Sequence, residues 1–354
     1  MSEDIWSERD TTPDKIEAAL RELLRERHAA NRALAPARVL NLVVIVDREW
    51  KGEIANRLDR VGRYHASRTI LCTVEERRET LDAVAVMSYE EAGPGGVAVI
   101  HEKIEIEVGS SQLARLDTVV DPVLVPELPS MLWSPHGHRE AVQALLGMTD
   151  VILLDSDDED DAGDALCRCG QLQRDAYVVD LAWLRTVPWR ERLAAAFDPP
   201  ERLSKLAELT GVTVRHHPSS AASAVLLVGW LSSRLGWSLA PMRSMNGDGL
   251  AGNATAQRGK VEIELRPLEQ EAPGLAGVTV SWDPGCWLSL DRDLGGLRAR
   301  ECGRGGREES WIVLGASRGE GGILGEGVRQ ALLRDHTYAP SLEAAQQLLS
   351  EVAA

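Results

Sequence analysis

The segment RVLNLVVIVD, Arg38 to Asp47, constrains the fold more than any other part of the chain. Leu and β-branched residues run through it almost without a break, so both alternating sets of side chains are apolar and both faces of the strand must be covered. A strand of that kind belongs in the middle of an α/β sheet. Trp50, Ile54, Leu58 and Val61 then recur at helical spacing, and Thr69 to Val74 supplies a second apolar strand. The result is a β-α-β unit whose strands should be parallel. Ahead of it, Thr12 and Pro13 read as the start of an amphipathic helix carrying Ile16, Leu20, Leu23 and Leu24, which is expected to be the first element.

The character changes at Leu81 to Glu90 and at His101 to Val108. In the second of these, Ile104, Ile106 and Val108 alternate with Lys103, Glu105 and Glu107, the pattern of half-exposed, antiparallel strands. The order then alternates: a helix from about Ser111, a strand within Leu128 to Trp133, a helix after His138, the strand Val151 to Asp155 and a short strand Tyr177 to Asp180. Beyond Gly236, Gly-rich turns separate short strands at Lys260–Leu265, Val278–Trp282, Trp287–Leu290 and Trp311–Leu314, and helices close the chain near Leu324–Leu333 and Ser341–Leu349. The reading is an α/β protein. Residues 1–180 form an N-terminal α/β domain with a mixed sheet, and residues 181–354 a C-terminal α+β domain with antiparallel strands.

Composition narrows the function. The chain has 354 residues, 44% of them hydrophobic, enough for two ordinary cores. A formal net charge of -16 repels phosphate backbones and anionic membrane surfaces, and no basic patch overrides it, so neither nucleic acid nor membrane is expected as a partner. The N-terminus MSEDIWSERD lacks the basic start and apolar stretch of a secretory signal. The longest apolar run, Ala224 to Leu231, falls far short of the roughly 20 residues that span a bilayer. Five cysteines without regular spacing fit a reducing compartment. A cytoplasmic location follows as the expectation.

Several patterns resemble catalytic or binding motifs but fail on context. Gly247 to Gly252 satisfies GxGxxG, yet an alternating strand at Val261–Leu265 follows where a phosphate-binding helix is needed. Gly315 to Gly319 matches the GxSxG nucleophile elbow behind a strand, but only Asp335 and His336 remain downstream, adjacent on the end of one helix and so divergent. His136 and His138 offer two nitrogens without a third metal ligand. The acidic run Asp155 to Asp161 lacks the spacing of a calcium loop and reads as a solvated surface. Cys167 and Cys169 stand too close in sequence for an easy disulfide and read as idle thiols. No catalytic residue, cofactor or metal is assigned.

DLAWLRTVPWR, Asp180 to Arg190, with Glu191, Leu193 and Phe197-Asp198, resembles the signature stretch of the OpcA family of glucose-6-phosphate dehydrogenase assembly proteins. GWLSSRLGW, Gly229 to Trp237, is similar to a second segment of that family, and HASR, His65 to Arg68, resembles its HPSR turn with Ala66 in place of proline. The resemblance covers most of the chain. It implies a non-enzymatic partner that assembles or allosterically activates glucose-6-phosphate dehydrogenase in the oxidative pentose phosphate pathway. Redox control through cysteines occurs in the photosynthetic branch of the family, but Cys286 and Cys302 match no such pair. Trp and Arg dominate interface energy, which makes Trp183, Arg185, Trp189, Arg190, Arg234 and Trp237 the expected partner-contact residues. In a strand ending near Arg185, Trp183 and Arg185 would share a face, with Pro188 opening the next helix. The alternatives are that the tryptophans pack internally while the arginines pair internal carboxylates, that the chain is an enzyme or sensor holding a sugar phosphate or nucleotide at the strand ends of the N-terminal domain, or that it is a scaffold without kinetic effect.

Overall fold

The computed structural model describes residues 2–30, 35–36, 38–62, 66–90, 99–245, 249–294, 296–314, 319–331 and 333–350. His65, Asn246 to Asp248 and Gly315 to Arg318, which carry parts of three motifs above, lie outside the described residues. The protein is α/β, with helices and two mixed sheets. In chain order the strands are β1 (Ser2–Glu8), β2 (Ala35–Pro36), β3 (Leu40–Asp47), β4 (Ser67–Glu75), β5 (Asp82–Glu90), β6 (Val99–Gly109), β7 (Ser130–Trp133), β8 (Val151–Leu154), β9 (Tyr177–Asp180), β10 (Gly211–His216), β11 (Ser238–Leu239), β12 (Arg243–Ser244), β13 (Leu250–Ala256), β14 (Gly259–Pro267), β15 (Leu275–Asp283), β16 (Cys286–Asp293), β17 (Gly296–Cys302) and β18 (Glu308–Leu314). The helices are α1 (Pro13–Ala30), α2 (Lys51–Gly62), α3 (Asp117–Val120), α4 (Arg139–Leu145), α5 (Ala162–Leu172), α6 (Leu181–Arg185), α7 (Val187–Phe197), α8 (Pro200–Leu203), α9 (Ala221–Leu235), α10 (Gly319–Gln330) and α11 (Tyr338–Leu349).

Two compact units result, neither continuous in sequence. One comprises residues 1–154, 172–179 and 324–333, the other residues 155–171, 180–323 and 334–354. The first is built on the sheet β1-β5-β6-β4-β3-β7-β8-β9, with β2 beside β6. As its apolar run requires, β3 is internal to this sheet, parallel to β4 on one side and to β7 on the other, and Leu40 to Val46 are all buried. Val43 and Ile45 join a core with Ile16 and Leu20 of α1, while α2, which buries Ile54 and Leu58, packs on β3 and β4. β5 and β6 are antiparallel, and Ile104, Ile106 and Val108 are fully buried between half-exposed Lys103, Glu105 and Glu107, as the alternation predicts.

Two expectations fail here. The first element is a strand, not the helix: Ser2 to Glu8 pairs antiparallel with β5, a short edge strand whose charged sequence hides its period of two. Trp50 does not share the stripe of Ile54 and Leu58. It sits in a single turn of 3-10 helix ahead of α2 and is 43% exposed.

The Arg of the HASR segment is a structural group of this unit. Arg68, on β4, is buried, and its Nε donates to Glu102 Oε2 at 2.9 Å while its Nη1 donates to the Val123 carbonyl at 2.9 Å and to Glu17 Oε2 at 3.3 Å. Arg38 also donates to Glu102, whose side chain is wholly buried. Every charge in this group therefore has an opposite charge or a carbonyl in hydrogen-bond reach, the condition under which buried ions are tolerated.

The second unit carries the sheet β11-β13-β14-β10-β15-β16-β17-β18, with β12 beside β13. Its pairings among the described residues are antiparallel, as expected, except that β10 runs parallel to β14. Val212 and Val214 of β10, Ile263 and Leu265 of β14 and Val278 and Val280 of β15 are buried, and α9 packs on β10 and β14. α9 is apolar almost all round and is covered by α11 as well. Gly229 permits that approach, since a Cβ there would lie 2.3 Å from the Ser341 carbonyl oxygen. The helix ends at Gly236, whose φ of 65° is the left-handed conformation that favours glycine at this position.

Candidate functional site

The segment Asp180 to Arg190 does not continue β9 as a strand. Asp180 accepts the Ala182 N–H at 3.0 Å and so caps α6, turning Leu181 to Arg185 into a helix. The expected shared face of Trp183 and Arg185 is thereby lost, because side chains two apart on a helix diverge. Pro188 does sit in the first turn of α7.

Three carboxylates gather around this cap. Asp180 is fully buried and also accepts from Ser156 N and Oγ and from the Tyr338 hydroxyl, at 3.1, 2.7 and 3.1 Å. Asp155 takes a two-pronged bond from Arg185, Nη1 to Oδ1 at 2.7 Å and Nη2 to Oδ2 at 2.5 Å. Asp157 accepts from Ser223 N and Oγ at 3.0 and 2.5 Å, with Arg185 Nη1 at 3.8 Å. Burial, followed by repulsion from Asp155, pushes Asp157 up to about 7 and Asp180 up to about 6. The acidic run is therefore not a solvated surface at this end, since Asp155 and Asp157 are tied into the interior by Arg185 and Ser223.

Next to this cluster lies an aromatic and guanidinium stack. The Trp183 ring is buried, tilted against Tyr338 at a centroid distance of 5.5 Å, and its Nε1 donates to Asp335 Oδ2 at 2.9 Å. Arg190 lies over the indole, its Cζ 3.5 Å from the ring centroid. Asp335 also accepts from Thr337 N and Oγ1, at 2.9 and 2.6 Å. Asp335 and His336 lie in the connection before α11, not on a helix end.

Of the six residues expected at a partner surface, the structure brings together Trp183, Arg185 and Arg190 around α6 and α7. Trp183, Trp189, Arg190 and Trp237 are buried, Arg185 is mostly covered, and Arg234 is exposed near the end of α9. Sequence reasoning missed Asp155, Asp157, Ser223, Asp335 and Tyr338. Only proximity in the fold links them to the signature, and Asp335 is 152 residues from Trp183.

The other motifs yield less. His136 is exposed and stacks on Trp50 at 5.4 Å, while His138 adopts φ 46° before α4 with Nε2 3.2 Å from Asp47. No group of three or more His, Cys, Asp or Glu is placed to hold a metal ion among the described residues. The loop that leaves β3, at the point where the sheet order changes direction, places Asp47 and Glu49 just ahead of α2. Arg48 lies between them and Lys51 opens the helix, so the segment carries both signs of charge. The five cysteines are free. Cys302 lies directly opposite Trp287, so Cys286, the preceding residue on β16, points to the other face of the sheet. Burial raises the Cys72 thiol to about 12 and the Cys169 thiol well above its ordinary value, which keeps both protonated. No described helix is long and apolar enough to cross a membrane.

Residues 58–171 match the family described as glucose-6-phosphate dehydrogenase subunit N-terminal domain, and residues 176–348 match the corresponding C-terminal domain. A Synechocystis protein carrying the OxPP cycle name OpcA is 34% identical over 140 residues, which is 38% of this chain and 30% of that protein. A Synechococcus elongatus protein of the same name is 30% identical over 198 residues, 53% of this chain and 41% of that one. The chain thus matches less than half the length of these curated relatives. Among solved structures, Gal80p from Saccharomyces cerevisiae, in a super-repressor mutant form, reaches a TM-score of 0.47 at 9% identity over 83% of each chain. The UDP-N-acetylglucosamine 3-dehydrogenase GnnA from Acidithiobacillus ferrooxidans reaches 0.46 at 10% identity over 88% of this chain and 97% of that one. Likenesses at this level support no conclusion about mechanism.

Proposed function

The chain belongs to the OpcA family, and on that premise we propose that it is a cytoplasmic, non-enzymatic assembly factor and allosteric activator of glucose-6-phosphate dehydrogenase in the oxidative pentose phosphate pathway. The observation that carries this reading is the pair of family matches, which together run from residue 58 to residue 348 and name the dehydrogenase in both halves. Activation without shared chemistry requires only that the chain bind the active state of the enzyme more tightly than the inactive one. A hundredfold preference corresponds to about 2.7 kcal/mol, within reach of one good interface.

The six signature residues enter in two roles. Arg234, exposed, is the direct contact. Trp183, Trp189, Trp237, Arg185 and Arg190 fix the shape of the surface from within the unit. A small-ligand enzyme or sensor at the strand ends of the first unit is the second reading. The test is to mix the purified cognate dehydrogenase with this chain, follow complex formation by size-exclusion chromatography and measure NADPH formation across substrate concentrations. Co-elution with a lower substrate requirement or faster turnover is expected. Co-elution with unchanged kinetics would reduce the chain to a scaffold, and absence of both would overturn the reading.

A further inference from the structure

We infer that Arg190 is the core of an oxyanion-binding site, for a phosphate or carboxylate group supplied from outside the chain. Arg190 is 9% exposed as a residue, and neither of its Nη atoms is sealed from solvent. Its Nε donates to Thr186 Oγ1 at 2.9 Å, and no described residue accepts a hydrogen bond from Nη1 or Nη2. The nearest carboxylate oxygen, Asp335 Oδ2, is 3.8 Å from Nη1, too far for a hydrogen bond. Asp335 already accepts from Trp183 and Thr337.

A guanidinium so largely covered usually finds protein partners for its fork. The other arginines in comparable positions of this unit do so. Arg185 uses both Nη groups on Asp155, Arg215 divides its own among Thr279, Ser289 and Asp291, and half-buried Arg292 donates to the carbonyls of Leu275 and Pro273. Arg190 is held differently. Its Cζ lies 3.5 Å from the Trp183 ring centroid and its Nε donates to Thr186, which orients the fork while no described residue accepts from the two Nη groups. Burial lowers its pKa to about 10, so it stays charged at neutral pH. A planar fork held rigidly and lacking acceptors matches the two oxygens of a carboxylate or phosphate group.

The inference goes beyond the proposed function, because it concerns the isolated chain. It is tested by titrating the chain with inorganic phosphate and, separately, with acetate at constant ionic strength. The readout is the Nε–Hε resonance of Arg190 in arginine-labelled protein, assigned by its loss in Arg190→Lys, with the thermal midpoint alongside. A saturable shift of that resonance by either ion is expected, with a midpoint rise that requires roughly tenfold more ligand in Arg190→Lys and is unchanged in Arg234→Lys. Phosphate acting alone would assign the site to a phosphate group, acetate acting alone to a carboxylate, and both acting to an oxyanion of either kind. Near-UV circular dichroism checks that Arg190→Lys retains its packing. If neither ion moves the Arg190 resonance, or if Arg190→Lys gains the same midpoint rise as the unaltered chain, the site is overturned.

Discussion

Each unit buries an arginine drawn from a signature segment, and the two are treated in opposite ways. Arg68 in the first unit reaches Glu102, Glu17 and the Val123 carbonyl, so its charge is satisfied within the unit. Among the described residues, Arg190 in the second makes one hydrogen bond, to Thr186, with Asp335 at 3.8 Å and an indole beneath it. The difference separates two reasons for placing an arginine in a signature. One arginine holds a fold together and gains nothing from a ligand. The other is oriented with its fork open to solvent and, by the inference above, gains from whatever brings an acceptor.

The largest expected effect is on the first of these. Arg68→Ala leaves Glu102 buried with Arg38 as its one remaining cation among the described residues, and removing one partner of a buried pair typically costs about 3–5 kcal/mol. Urea denaturation should show a loss of that size, and a loss below about 1 kcal/mol would erase the contrast between the two arginines.

The acidic cluster beside Arg190 should give the second unit a pH dependence of definite sign. The folded values of Asp157 and Asp180 lie above the ordinary carboxylate range, so the folded state keeps protons that the unfolded chain has released. Their stabilising contribution is complete below about pH 4 and is lost as pH rises through about 6 to 7. Asp157→Asn removes its share of that loss. The variant should therefore gain stability relative to the unaltered chain between pH 5 and pH 8, by on the order of 2 kcal/mol. A difference independent of pH would show that Asp157 is ionised in the folded state throughout.

Smaller still, Trp183→Phe keeps the ring under Arg190 but removes the indole N–H from Asp335. A loss of about 1 kcal/mol is expected from thermal unfolding, since Asp335 retains its bonds to Thr337. Arg234→Ala should change stability by less than about 0.5 kcal/mol, as befits an exposed side chain, while weakening binding to the dehydrogenase. Equal affinity before and after that substitution would remove Arg234 from the proposed interface.

Much of the first unit was legible in the sequence because its signals are local. A continuous apolar run such as Leu40 to Val46 leaves no option but a central strand, and the alternation at Ile104, Ile106 and Val108 states which face is covered. The strand Ser2 to Glu8 was missed because an edge strand needs little apolar content and takes its hydrogen bonds from a distant neighbour. β10 and β17 were missed as well, although β10 carries a period of two of its own in buried Val212, Val214 and His216. At the site, the signature pointed to Trp183, Arg185 and Arg190, but not to their surroundings. A cap by Asp180 turned the expected strand into a helix, and Asp155, Ser223 and Asp335 reach the cluster only through tertiary contact. Burial of Trp183 and Trp189 likewise depends on what packs over them, which residue type alone does not reveal.

Activation of the dehydrogenase by preference for its active state is tested most directly through linkage. If the chain raises the enzyme's binding affinity for glucose 6-phosphate by some factor, glucose 6-phosphate must raise the enzyme's affinity for the chain by the same factor. Both affinities can be measured by calorimetric titration of the dehydrogenase, with each ligand in the presence and absence of the other and without the nicotinamide cofactor. Equal factors above one are predicted. A complex whose affinity is indifferent to glucose 6-phosphate, formed with an enzyme whose substrate affinity is equally indifferent to the chain, would contradict the account.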